Sequence, residues 1–78
     1  MRLKKLLKKL DIYEQFQLVN AQTGEPITDV DYLADTGTWE RMAGNLDSRV
    51  HGISAGVIKD EHGVAKDVYV VITLDNVM

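Results

Sequence analysis

Two stretches in the last third of the chain alternate with a period of two, and they constrain the fold more than any other feature of the 78 residues. In DVYVVITL, Val68, Val70, Ile72 and Leu74 fall on one side of an extended chain, and in RVHGISAGVI the same holds for Ile53, Ala55 and Val57. Such alternation marks half-buried strands, because successive side chains of a strand point to opposite faces. DEHG between them reads as a tight loop with Gly63 at its end. A terminal β-hairpin is therefore expected, with Gly52 and Gly56 marking a bulge or a close backbone approach.

The apolar face of that hairpin needs a cover, and the opening MRLKKLLKKL offers one. Leu3, Leu6, Leu7 and Leu10 recur at i, i+3, i+4 and i+7, which is one face of a helix. Two to three helical turns do not persist alone in water, so the stripe must lie on another surface. Burying a leucine contributes about 1.5–3 kcal/mol, far more than an exposed lysine gains from any solvated contact. Asp11 marks the expected exit from the helix.

In the middle, Phe16 and Leu18 alternate with Gln15, Gln17 and Val19 as a strand with the first two inward. NAQTGE is a turn in which Gly24 can take positive φ, and Pro26 restarts an edge-type strand through Ile27, Val30 and Tyr32. A rival reading makes Asp29 the cap of a short helix ended by Gly37. TGTWERMAGN reads as one or two helical turns, with Thr38 as N-cap, Trp39 and Met42 on one side and Gly44 as terminator. The expected fold is α+β, a single small two-layer domain over residues 1–78 in the order α-β-β-α-β-β. Its N-terminal amphipathic helix packs on an antiparallel sheet of about four strands.

Composition narrows the chemistry. With no cysteine there is neither a disulfide nor a thiolate for metal binding or attack. A hydrophobic fraction of 45% suits a globular chain. No apolar run approaches the roughly 18 residues of a membrane span, and lysines interrupt the leucines where a signal peptide would be continuous. A cytoplasmic protein without a membrane role is expected.

Several short motifs resemble catalytic signatures. GISAG at 52–56 matches G-x-S-x-G, but Ser54 sits inside a strand pattern, with His62 only just past the next turn. ADTG at 34–37 resembles the Asp-Thr-Gly of aspartic proteases, without the apolar strand before it or a later apolar-Gly segment. Asp29, Asp31 and Asp35 lack the alternating donors and terminal glutamate of a calcium loop. His51 and His62 lack helical ligand spacing, and no phosphate-binding glycine loop is present. The expectation is a non-enzyme with no metal and no cofactor.

Binding surfaces are better supported. Residues 1–10 hold five basic residues and no acid, whereas the remainder holds four basic residues against twelve acidic ones. Lys4, Lys5, Lys8 and Lys9 would serve a nucleic-acid contact, weak and salt-sensitive. Trp39 stands in a polar stretch, and tryptophan is enriched at interface hot spots. With Asp29, Asp31, Asp35 and Glu40 it forms the candidate partner-binding set, acidic enough to meet a basic protein. Tyr69, Val71 and Val19 on the second face of the sheet, together with its open edges, favour a homodimer.

LKKLLKKL before a strand, NAQTGE as a turn and NLDSRVHGIS leading into a terminal apolar strand form a layout. It resembles that of short accessory proteins of phages and mobile elements in gut-type Gram-positive bacteria. The resemblance implies a non-catalytic protein-interaction module, a phage-encoded inhibitor that binds a bacterial host or defence protein in an anti-CRISPR-like or other anti-defence role. The alternatives are a nucleic-acid-binding accessory protein using the basic helix, and sequestration of a small nucleotide signal.

Overall fold

The structure is a computed structural model that describes residues 1–10, 13–32, 40, 42–75 and 77. Helix α1 spans Leu3–Leu7, followed by strands β1 (Gln15–Asn20) and β2 (Asp31–Tyr32), a 3₁₀ turn at Ala43–Asn45, and strands β3 (Arg49–Lys59) and β4 (Ala65–Asp75). The strands form one sheet in the order β2-β1-β4-β3. The terminal hairpin forms as its alternation predicts, each strand running to 11 residues, with Gly63 at a φ of 78° in the turn. Asp60 braces that turn, its Oδ1 accepting the N–H groups of His62 and Val64 at 2.9 and 3.0 Å.

The sheet is mixed, which corrects the expected all-antiparallel arrangement. β1 lies parallel to β4, pairing Phe16 with Val70 through Asn20 with Leu74, while β2 and β3 run antiparallel to their neighbours. Alternation specifies which side chains share a face but not the direction of the neighbouring strand, so the sequence pattern is the same for both pairings. In-register pairing puts Phe16, Leu18, Ile72 and Leu74 on one face, and all four are fully buried.

Leu3, Leu6 and Leu7 of α1 and Met42 complete that core. The helix is shorter than the leucine spacing predicts. Beyond Leu7 the chain tightens into i→i−3 bonds, Lys9 N–H to the Leu6 carbonyl at 2.9 Å and Leu10 N–H to that of Leu7 at 3.3 Å. Leu10 still packs half-buried against the core. The first orphan amides of the helix are satisfied by the turn before β3: Leu3 N–H donates to the Ser48 carbonyl and Lys4 N–H to that of Leu46, both at 2.9 Å. An Arg2–Arg49 bridge and Val50 N–H to the Met1 carbonyl (2.8 Å) tie the first residues to the start of β3.

The second strand is a stub. The expected strand from Pro26 through Tyr32 is reduced to an isolated Val19–Pro26 bridge and the two residues of β2. Between them the outer edge of β1 is served by other groups: the Leu18 carbonyl accepts Ile27 N–H at 2.7 Å, and Leu18 N–H donates to the buried Thr28 hydroxyl at 3.1 Å. Proline lacks the amide and Thr28 supplies a side-chain oxygen, so regular pairing is interrupted. The NAQTGE turn is as expected, with Gly24 at a φ of 76°. Gly44 is not a left-handed terminator but lies inside the 3₁₀ turn. Thr38, Trp39, Gly37 and Asp35 lie outside the described residues.

Candidate functional site

The long hairpin outruns the rest of the sheet, and this mismatch creates the site. β1 has six residues and meets β4 only from Val70 onward. Among the described residues, the earlier stretch of β4, Ala65–Tyr69, therefore has a strand neighbour only on its β3 side. The notch so left is a half-open groove of about 370 Å³, lined by residues including Tyr13, Glu14, Gln15, Tyr32, Asp67 and Tyr69. Ala55, Val68 and Val70 close its other side.

Three observations describe its chemistry. Three tyrosines, Tyr13 before β1, Tyr32 of β2 and Tyr69 of β4, line it together with two acidic residues, Glu14 and Asp67, a composition that suits a cationic guest. Among the described residues the buried Gln15 side-chain oxygen has no hydrogen-bond partner. Asp67 bends back on its own strand, its Oδ1 accepting Val68 N–H at 2.8 Å.

Tyr69 is held by its neighbour across the ladder. Gly56 pairs with Tyr69, and the ring occupies the space a Cβ at position 56 would take. The two glycines are expected to mark a bulge or a close backbone approach: the register shifts between Val50 and Gly52, whereas at Gly56 a side-chain ring rather than backbone comes close. Gly56→Ala is expected to push the Tyr69 ring out of place at a cost on the order of 1 kcal/mol. The chain should stay folded by circular dichroism while the Tyr69 ring resonances shift in NMR spectra; unchanged resonances would refute this role for Gly56.

On the core side of the ribbon the apolar face continues past the helix. Ile53, Val57 and Val68 share the face of Ile72 by register, yet are 56%, 48% and 64% exposed. The hairpin alternation identified the face correctly, but α1 covers only its proximal half.

The residues singled out from sequence are distributed differently. Asp29 and Glu40 are exposed and Asp31 is half-buried in β2, and none of the three lines the groove. Trp39 and Asp35 fall outside the described residues. Lys4, Lys5, Lys8 and Lys9 are exposed, with Lys4 paired to Asp47 at 3.2 Å. Lys4 and Lys8 flank a smaller apolar depression of about 270 Å³ with Leu7 and Leu46. Ser54 lies mid-β3 opposite Val71, whereas His62 sits in the hairpin turn. His51 contacts Asp75 at 3.2 Å. Sequence reasoning missed Tyr13, Glu14, Gln15, Tyr32 and Tyr69 as a group, since they are brought together only by the unequal lengths of β1 and β4. Among the described residues no helix is long and apolar enough to cross a membrane. Comparison of the chain with protein-family models, curated proteins and solved structures finds no match.

Proposed function

We propose that the chain is a non-catalytic protein-interaction module that receives a positively charged partner in the groove at the end of its sheet. The observation that supports this reading is the convergence of Tyr13, Tyr32 and Tyr69 with Glu14 and Asp67 around one cleft. Cations bind over aromatic faces, and carboxylates at the rim favour the encounter with a basic surface. The resemblance of the layout to that of phage accessory proteins extends the proposal: the partner is a bacterial host or defence protein whose working surface the module occupies. The acidic partner-binding role first assigned to Asp29, Asp31, Asp35, Glu40 and Trp39 passes in this reading to the groove.

Deca-arginine serves as a defined cationic probe. Calorimetric titration at low salt is expected to show binding that the paired reversal Glu14→Lys and Asp67→Lys abolishes. The distant pair Glu25→Lys and Glu61→Lys, equal in charge change, should retain it. Equal loss in both pairs would reduce the effect to net charge and overturn the reading. A parallel titration with duplex DNA at about 50 mM salt tests the lysine face of α1, because phosphate contacts are strongest there. The expected result is no binding; binding lost on Lys5→Glu and Lys9→Glu would reverse the assignment.

A further inference from the structure

From the backbone of β4 we infer that the groove takes its guest as an added β-strand: an extended segment with a basic side chain on one face and apolar side chains on the other. The inference rests on the cation-binding reading of the same groove and specifies how the partner is held.

The backbone direction of β4 carries the argument. The Leu74 carbonyl points toward β1, beyond whose end it accepts Ala21 N–H at 3.0 Å. In an extended strand the N–H and C=O of one residue point to the same side, and every second residue repeats the direction. Val68 therefore presents both groups toward the side where β1 has ended. Its N–H is met there by the Asp67 carboxylate rather than by a strand. An incoming strand that runs antiparallel to β4, with an apolar residue opposite Val68, supplies from that residue a carbonyl for Val68 N–H and an amide for its C=O, releasing Asp67. The freed carboxylate is then available to the guest's own cation, so one exchange couples backbone pairing to charge recognition.

The side chains agree with this geometry. By register, Asp67 and Tyr69 lie on the face opposite the core, together with Gln15 and its partner Tyr32. A basic side chain on that face meets the Asp67 carboxylate and the tyrosine side chains, beside Gln15, whose buried oxygen lacks a partner among the described residues. On the core-side face the guest's alternate residues meet Val68 and Ala55, next to the exposed Val57 and Ile53. Strand addition of this kind takes affinity from main-chain bonds and specificity from alternate side chains.

The probe is the acetylated, amidated pentapeptide Thr-Val-Arg-Val-Thr, compared with versions carrying central glutamate and with one in which both valines are replaced by proline. Proline keeps the charge but removes the amides that strand pairing needs. The arginine peptide is expected to shift the amide resonance of Val68 and the side-chain amide of Gln15, with a dissociation constant near or below about 1 mM. The glutamate and proline versions should bind at least about tenfold more weakly. Asp67→Asn, which can still accept Val68 N–H but carries no charge, should lower affinity for the arginine peptide by about tenfold, a difference of about 1.4 kcal/mol. Equal binding of the arginine and proline peptides overturns strand addition and leaves the cation groove standing. Equal binding of the glutamate peptide overturns the charge recognition, and absence of any shift at about 5 mM peptide overturns both readings.

Discussion

Replacing Leu3 with aspartate is expected to leave the chain unfolded at room temperature. Leu3 is fully buried among Phe16, Leu18, Met42, Ile72 and Leu74, and its amide anchors the helix to the Ser48 carbonyl. The substitution loses about 2–5 kcal/mol of packing, and a carboxylate in that position is desolvated without a cation to meet it. A 78-residue domain has a total stability of about 4–12 kcal/mol, which that combined loss consumes. Far-ultraviolet circular dichroism and thermal melting decide the matter, with Lys5→Asp as the control because Lys5 is exposed on the same helix. A Leu3→Asp variant that melts with its parent would show that α1 is not part of the core, and the helix would become the favoured interaction arm.

Phe16→Ala is the second large effect. The phenyl group is fully buried at the start of β1, where it pairs with Val70 at the border between the covered and the open part of β4. Truncation should cost about 3–5 kcal/mol through lost burial and the cavity left behind. In a domain of this size that is a Tm decrease of about 12–40 °C at roughly 4–8 °C per kcal/mol. Tyr13→Ala offers the contrast: the side chain is 73% exposed on the rim, so cation binding should fall while the melting temperature changes little. A smaller loss for Phe16→Ala than for Tyr13→Ala in a denaturant titration would invert the assignment of core and rim.

The two positions differ in how readable they are from sequence. Phe16 and Leu18 announce their burial by alternating with glutamines, and the leucines of α1 announce theirs by helical spacing, because one apolar face must leave water whichever strand lies beside it. Gly63 and Gly24 mark turns for an equally local reason, since both adopt positive φ. Tyr13, Tyr32 and Tyr69 carry no such mark. They lie 19 and 37 positions apart in successive steps and meet only because β1 stops while β4 continues. The acidic residues chosen for a partner were drawn from local density, whereas Asp67 earns its place from the open edge beside it.

Local patterns in the chain thus settled the terminal hairpin, the faces that α1 and β1 bury and the absence of thiol chemistry, because side-chain periodicity and composition are properties of residues close in sequence. The parallel pairing of β1 with β4, the stub at β2 and the groove were decided by tertiary structure. Strand direction and strand overlap depend on which distant backbone supplies each hydrogen bond, and Thr28 and Pro26 alter that supply without changing the apolar pattern.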